Sequence, residues 1–191
     1  MNVYDFDETI FQPDSSFAFI LYCVKRCPGA LLRTAPGTIG AAVRYRAGRI
    51  PTKTLKEQLF SFLRYVPDPE GLVQDFWDKH FSQVERWYLN QRKADDLIIT
   101  ASPEFLVGEA ARRLGVSVLG TRMDIRSGRI EGENCHDSEK VNRFRSLYGD
   151  TQIAEFYSDS LSDTPMARLA RQAFLVHKGT LRSWPDSDHT M

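Results

Sequence analysis

Three features are scarce in this sequence, and each scarcity excludes a class of protein. Only three of the 191 residues are cysteine, an odd number without a C-x-x-C pair, so neither a disulfide framework nor a zinc site is expected. The longest apolar run, Phe17–Val24, is far shorter than the roughly 20 residues that cross a bilayer. The N-terminus does not resemble an export signal, and a reducing cytoplasm is the expected compartment.

Net charge is also absent, because 25 Lys and Arg residues balance 25 Asp and Glu residues. Residues 17–66, however, contain nine basic residues and one acidic residue, a net charge of +8, and the rest of the chain therefore carries −8. Two interpretations of this basic segment stay open: a solvated helix face, or a surface for an anionic partner or substrate. It resembles no known nucleic-acid-binding module, and no nucleic-acid partner is expected.

What the sequence does contain is the alternation of strands and helices that is typical of an α/β domain. Residues 15–92 show only helical patterns, which turns such as Pro36-Gly37 divide into about four helices. Further helices are expected at 103–114, 138–148 and 162–169. Strands are expected at Asn2–Asp5, Leu97–Thr100, Val116–Gly120, Ile153–Tyr157 and Ala173–His177.

This alternation predicts a Rossmann-like parallel sheet with a helical cap inserted after the first strand. The predicted catalytic core comprises residues 1–12 and 93–191, and the predicted cap comprises residues 13–92. A hairpin is expected at 123–130, turning at Ser127-Gly128. The tail after Thr180 is expected to fray.

Polar side chains recur where the predicted strands end. Asp5 and Asp7 are two residues apart at the end of the first strand, so their side chains point the same way. Others follow in order along the chain: Thr100, Lys140, Asp159 and Asp163. Because ligands of parallel sheets bind at the carboxyl ends of the strands, the spacing predicts one polar site.

These residues and their neighbours, in this order along the chain, resemble the motifs of the haloacid dehalogenase superfamily of phosphotransferases and phosphatases. Val3–Ile10 looks like the first motif, Ile98–Thr100 the second, Lys140 the third and Asp159–Asp163 the fourth. The resemblance spans nearly the whole chain. It implies a Rossmann-like core and a phosphoryl-transfer activity.

Three shorter segments are similar to the phosphoserine phosphatase-like branch, which also carries a helical cap between the first two motifs. These segments are Thr100–Pro103, Gly128–Gly132 and Ser138–Val141. The fourth motif departs from the branch. Where the branch commonly has Gly-Asp-Gly-x-Asn-Asp, residues 158–163 read Ser-Asp-Ser-Leu-Ser-Asp. The departure bears on rate and substrate fit more than on metal ligation.

The resemblance implies a covalent mechanism, and the residue types suit it. Asp5 would attack phosphorus and become an aspartyl-phosphate, while Asp7 would act as general acid and then as general base. Thr100 and Ala101 would bind the substrate phosphate together with Lys140, whose positive charge would offset the developing negative charge.

A divalent cation is also expected, because several carboxylates would otherwise repel a phosphate dianion. Mg²⁺ fits best, since it prefers oxygen ligands and bridges to phosphates. By resemblance, its ligands would be the Asp5 carboxylate, the Asp7 backbone carbonyl and Asp159. Asp163 would orient Lys140 or a metal-bound water.

The leading interpretation is a Mg²⁺-dependent phosphatase of a small phosphomonoester, and two alternatives stay open. The +8 segment suggests a phosphatase of lipid-linked or polyanionic phosphates that contacts an anionic membrane surface. The altered fourth motif suggests a catalytically weakened binding or regulatory protein on the same fold. The four histidines show no metal-ligand spacing, and Cys135 and His136 are expected to be bystanders.

Overall fold

The computed structural model describes residues 1–185, which form a six-stranded sheet with flanking helices. The strands are β1 (Val3–Tyr4), β2 (Leu97–Pro103), β3 (Ser117–Thr121), β4 (Ile153–Ser158), β5 (Ala170–His177) and β6 (Thr180–Ser183). The helices are α1 (Ser15–Arg26), α2 (Pro28–Arg46), α3 (Thr52–Phe60), α4 (Pro69–His80), α5 (Arg86–Gln91), α6 (Glu104–Leu114), α7 (Ser138–Tyr148) and α8 (Thr164–Ala167). Among these helices, none is both long and apolar enough to cross a bilayer.

The strand order is β3-β2-β1-β4-β5-β6, and all neighbours are parallel except β5 and β6. The central strand β1 pairs with β2 on one side and with β4 on the other, so that Val3 lies beside both Leu97 and Phe156. Strands β2 and β3 therefore lie on one side of β1, and strands β4, β5 and β6 lie on the other. This topological switch is where a parallel sheet opens a crevice for ligands. The predicted Rossmann-like parallel sheet is confirmed.

Alternate residues of the central strands enter two separate apolar clusters. Val3, Leu97 and Ile99 pack on one face of the sheet, and Tyr4 and Ile98 pack on the other. This is the period-2 alternation of a strand that is buried on both faces. Because all five side chains are 0% exposed, the sheet holds its strand ends in fixed positions.

Residues 13–92, which lie between β1 and β2, contain helices and connecting turns but no strand. They are called the helical insertion below. Its aromatic residues Phe19, Phe76 and Trp77 join the same cluster as Tyr4. Trp77 also donates a hydrogen bond from Nε1 to the Leu106 carbonyl at 2.8 Å. One continuous core therefore fixes the insertion to the sheet.

The expected helix break at Pro36-Gly37 was wrong. Helix α2 runs from Pro28 to Arg46 without interruption. Proline removes one backbone donor from a helix, but Pro36 lies on the exposed side of α2, where water can satisfy the carbonyl that loses its partner.

The chain after Thr180 is more ordered than expected. Strand β6 pairs antiparallel with β5, across a turn in which Lys178 and Gly179 both have positive φ. Two such residues form the turn type that matches the twist of a hairpin, and Lys-Gly is a weak sequence signal for it. Strand β5 also begins at Ala170, three residues earlier than expected. The last six residues of the expected tail lie outside the described residues.

The hairpin expected at 123–130 is a turn with a single bridge, between Met123 and Ile130, rather than a pair of strands. Its tip packs against the helical insertion. A Cβ on Gly128, whose φ is +70°, would lie 2.5 Å from the Phe60 carbonyl oxygen. Only glycine allows this close approach.

Candidate active site

One cavity of about 210 Å³ lies at the carboxyl ends of β1, β2 and β4. All seven residues that the sequence nominated for the site line it: Asp5, Asp7, Thr100, Ala101, Lys140, Asp159 and Asp163. They come from four separate parts of the chain. The parallel strands end at the same edge of the sheet, and the first turn of α7 adds Lys140 at that edge.

Lys140 links two carboxylates at the bottom of this cavity. Its Nζ lies 3.0 Å from Oδ1 of Asp5 and 2.6 Å from Oδ2 of Asp163. The Lys140 and Asp163 side chains are each 2% exposed. A buried lysine is costly unless it is paired, so the three groups form one electrostatic unit.

Asp7 is held by hydroxyl and backbone donors rather than by a cation. Its Oδ2 accepts hydrogen bonds from Ser102 Oγ at 2.5 Å and from Thr100 Oγ1 at 3.3 Å. Its Oδ1 accepts one from the Ser15 backbone N–H at 2.6 Å, at the N-terminus of α1. Asp7 therefore sits between the sheet and the first helix of the insertion.

The altered fourth motif forms a loop that serine side chains hold together. Ser158 Oγ donates to Asp163 Oδ2 at 2.7 Å and accepts from the Ser160 backbone N–H at 3.1 Å. The Asp159 backbone N–H donates to Thr9 Oγ1 at 2.9 Å. Ser160 Oγ also accepts a hydrogen bond from the Ser162 backbone N–H at 3.3 Å. The Ser158 and Ser160 hydroxyl groups thus form hydrogen bonds that the glycines of the branch could not.

Burial changes the acidity of the central groups. Burial raises the pKa of Asp5 to about 7, and the nearby Asp163 and Asp7 carboxylates add to this rise while Lys140 opposes it. Burial also raises the pKa of Asp7, helped by Asp14 and opposed by the donors Ser102 and Ser15. An Asp7 with a raised pKa holds its proton to higher pH, as a general acid must.

Lys140 shows the opposite balance. Burial alone would lower the pKa of its ammonium group, but the Asp5 and Asp163 carboxylates outweigh burial and hold that pKa above its usual range. Lys140 therefore stays positively charged at neutral pH. A permanent positive charge 3.0 Å from Asp5 can offset negative charge that develops there.

The cavity contains far more negative than positive side chains. Six carboxylates line it, against two lysines. The carboxylates are Asp5, Asp7, Glu8, Asp14, Asp159 and Asp163, and the lysines are Lys56 and Lys140. A phosphate dianion would be repelled by this surplus. An anionic substrate at this site thus requires additional positive charge.

Two residues with a place in the site were missed from the sequence. Ser102 follows Thr100 by two residues on β2, so the period of a strand could have indicated that both face Asp7. Lys56 of α3 reaches the cavity from the insertion, where its Nζ donates to the Ala101 carbonyl at 2.9 Å and to Asn134 Oδ1 at 2.8 Å. The sequence shows only that Lys56 belongs to a basic segment.

The two residues expected to be bystanders differ in position. Burial raises the pKa of the Cys135 thiol to about 11, so this thiol stays protonated and unreactive at neutral pH. His136, in contrast, lines the cavity. Its ring makes no hydrogen bond within residues 1–185, and its role as a bystander stays a prediction.

Similar proteins have related sequences and the same fold. CicA from Caulobacter vibrioides is 29% identical over 190 residues, which cover 92% of this chain and 86% of that protein. The crystal structure of a protein with unknown function from Bordetella pertussis superimposes with a TM-score of 0.67 at 22% identity, covering 91% of this chain and 87% of that one. A substrate-bound phosphoserine phosphatase complex gives a TM-score of 0.53 at 12% identity, covering 90% and 82%.

These similarities confirm the fold expected from the phosphoserine phosphatase-like branch. A family model described as haloacid dehalogenase-like hydrolase matches residues 3–168, from the first motif through the fourth. The match covers most of the chain and includes every residue nominated for the site. The chain therefore belongs to the haloacid dehalogenase-like hydrolase family.

Proposed function

We propose that this protein is a Mg²⁺-dependent phosphatase that hydrolyses a small phosphomonoester through an aspartyl-phosphate on Asp5. The observation that carries the proposal is the pairing of two aspartates with different surroundings in one cavity. Asp5 lies against a buried lysine, and Asp7 lies among hydroxyl donors. Two carboxyl groups in different environments suit a nucleophile and an acid–base group.

The chemical steps follow from these surroundings. An Asp5 carboxylate oxygen attacks phosphorus while the bond from phosphorus to the substrate oxygen breaks, and the Asp7 carboxyl group gives its proton to the departing oxygen. Asp7 is then a carboxylate. It takes a proton from the water that attacks the phosphoryl group, which releases inorganic phosphate and restores Asp5.

Two lysines supply positive charge from different parts of the chain, Lys140 from α7 and Lys56 from α3 of the insertion. Lys140 Nζ, fixed between Asp5 and Asp163, offsets charge at the reacting oxygens. Thr100 and the backbone at Ala101 border the space in which the phosphate would sit. Lys56 reaches the same space from the opposite wall.

The residues present fit a Mg²⁺ ion. Among residues 1–185, Asp163 Oδ1 is buried and has no hydrogen-bond partner, and the surplus of carboxylates needs a cation. Within residues 1–185, no three His, Cys, Asp or Glu side chains form a metal cluster by themselves. An ion would therefore need a backbone oxygen as well, and Asp5, the Asp7 carbonyl and Asp159 would hold it near Asp163. Bound there, Mg²⁺ would neutralise the phosphate and polarise it.

The deciding experiment is the turnover of a chromogenic phosphate monoester. We expect activity with Mg²⁺, loss of activity in EDTA, and recovery when Mg²⁺ is restored. Mass spectrometry after an acid quench should find phosphate on Asp5, in a form that hydroxylamine removes. Turnover that persists in EDTA would contradict the metal dependence. A folded protein that turns over no monoester in a panel of phosphorylated metabolites would support the binding or regulatory alternative.

A further inference from the structure

Helices α1 and α2 of the insertion expose an unusual amount of apolar surface. Of the twelve large hydrophobic side chains that are exposed among residues 1–185, seven lie on these two helices. We call these seven the apolar face: Phe17, Leu21, Val24, Leu32, Ile39, Val43 and Tyr45. Contiguous exposed apolar patches mark interaction surfaces, whereas single exposed hydrophobic side chains are normal on a protein surface.

Five members of the apolar face lie in two stripes with helical spacing. On α1, Phe17, Leu21 and Val24 recur after four and three residues, and on α2 Leu32 and Ile39 recur after seven. Leu32 and Ile39 are 73% and 64% exposed. Residues with these spacings share one side of a helix.

A groove of about 360 Å³ lies along these stripes, with α3 contributing one side chain. It is lined chiefly by aliphatic side chains, among them Ile20, Leu31, Ile39 and Leu59. In the described part of the chain, no charged residue lines it. The two helices thus leave an apolar channel open at the surface.

Basic residues accompany the apolar face, and acidic residues are absent from it. Residues 15–56 contain eight basic residues and no acidic residue. Five of the eight are exposed and form no ion pair in the described part of the chain: Lys25, Arg33, Arg44, Arg46 and Arg49. Unpaired positive charges next to exposed aliphatic side chains are the pattern of a helix that lies in a lipid interface.

We propose that the apolar face docks on an anionic lipid surface, with the stripes of α1 and α2 among the acyl chains and the basic residues among the headgroups. Charge decides against a second copy of this chain, since two such faces would bring two sets of unpaired cations together. A nucleic acid would match the charge. It would leave the aliphatic stripes uncovered, however, and these stripes offer few aromatic rings for base stacking.

The docked surface would lie beside the candidate active site. Ser16 lines the active-site cavity, and Phe17, the next residue, begins the apolar face. Lipid binding by this face does not depend on phosphatase activity, so each can be tested without the other.

The test is flotation of the full-length protein with vesicles. One set contains only phosphatidylcholine, and the other contains phosphatidylcholine with about one third phosphatidylglycerol. We expect binding to the anionic vesicles at low salt and little binding to the neutral ones. Each basic residue near an anionic surface should contribute about fivefold to the affinity. The double variant Arg44→Glu with Arg46→Glu should therefore bind at least about 25-fold more weakly.

Two further variants separate docking from plain charge attraction. Leu32→Gln with Ile39→Gln should lower the affinity at least about tenfold, because both side chains are exposed in the free protein and buried in the docked state. The matched control is Arg145→Glu with Leu147→Gln on α7, where Leu147 is 60% exposed. This control should bind like the wild type. Circular dichroism and thermal unfolding check that all variants are folded.

Three outcomes would overturn the proposal. One is the absence of binding to anionic vesicles at low salt. Another is full binding by the Leu32→Gln with Ile39→Gln variant, which would reduce the effect to nonspecific charge attraction. The third is a concentration-dependent dimer, detected by light scattering, that this same variant abolishes, since the face would then belong to a second copy.

Discussion

The two walls of the active-site cavity are built in different ways. On the sheet wall, Asp5, Lys140 and Asp163 are almost completely buried and form ion pairs with one another. On the insertion wall, Lys56 is only partly buried and is held by a carbonyl oxygen and an amide oxygen. It has no carboxylate partner within residues 1–185.

This difference follows from what fixes each wall. In the sheet wall, Asp5 follows β1, which is paired with a strand on each side. Lys140 of α7 and Asp163, which follows β4, are fixed to it through the two ion pairs of Lys140. Helix α3, which carries Lys56, is attached to the segment 122–137: Lys53 donates to the Gly132 carbonyl, and Glu57 accepts from the Ile130 backbone N–H at 2.9 Å. The sheet wall therefore offers rigid chemistry, and the insertion wall offers a charge whose position depends on a loop.

The strongest test of the sheet wall is Asp5→Asn. The substitution keeps the shape of the side chain but removes the nucleophile, so turnover should fall roughly 10⁴-fold or more. The matched control is Glu8→Gln, which changes an exposed carboxylate at the edge of the same cavity. We expect the control to stay within a few-fold of the wild type. Substantial turnover by a folded Asp5→Asn protein would exclude the covalent mechanism.

Lys140→Met tests whether the sheet wall is also a structural unit. Removing the lysine leaves Asp5 and Asp163 buried beside each other without a cation, which should lower the free energy of unfolding by about 3–5 kcal/mol. Urea denaturation measures this loss. For Lys56→Met we expect less than half of it, because no buried carboxylate loses its partner. An equal decrease in the free energy of unfolding in both variants would contradict the proposed difference between the walls.

The residues of the sheet wall could be predicted from the sequence because most of them directly follow strands, and strands are recognised from local sequence patterns. Asp5 and Asp7 directly follow a strand, Thr100 lies within the next, and Asp159 follows a third, so strand prediction alone placed them at one edge. Their catalytic and metal-binding roles stay predictions. Ser102 could have been included by the same period-2 argument, since its hydroxyl lies 2.5 Å from Asp7.

The insertion wall could not be read in this way. The position of Lys56 depends on how five helices pack on the sheet and on how the segment 122–137 folds, and both are long-range contacts. The continuous helix through Pro36 has the same origin, because only the tertiary structure shows that this residue faces solvent. Charge counting found the basic segment but could not separate Lys56, which enters the site, from Arg44 and Arg46, which remain exposed.

We expect Lys56→Met, which changes the insertion wall, to have a smaller effect on turnover than Asp5→Asn. Lys56 points a charged group at the cavity without touching Asp5, so we expect it to attract the substrate more than to stabilise the reacting atoms. KM for a dianionic substrate should rise about tenfold, while kcat stays within about threefold. The control is Lys53→Met, one turn earlier on α3, which contacts the Gly132 carbonyl and does not line the cavity. If Lys53→Met raised KM equally, the loop contacts of α3 rather than the charge of Lys56 would account for the effect.

The smallest expected effect concerns the attachment of the insertion far from α3. Glu109 of α6 accepts hydrogen bonds from Arg112 and Arg113, and Arg113 also pairs with Asp78 of α4 at 2.7 Å. The hydrogen bond from Arg112, followed by that from Arg113, lowers the pKa of Glu109 to about 2, although partial burial opposes this. This network joins the sheet side to the insertion through charge.

Glu109→Gln should therefore destabilise the protein in a pH-dependent way. A carboxylate whose pKa is lowered from 4.5 to about 2 on folding stabilises the native state fully above pH 4.5 and loses this contribution as the pH falls toward 2. Near neutral pH the variant should be less stable by at most about 1 kcal/mol, because the Arg112 side chain is largely exposed to solvent. The gap should close below pH 4.5 in urea denaturation at several pH values, whereas Glu133→Gln, which alters a 74% exposed carboxylate, should show almost no gap. A gap that stayed constant down to pH 3 would mean that packing, not charge, attaches the insertion at α4.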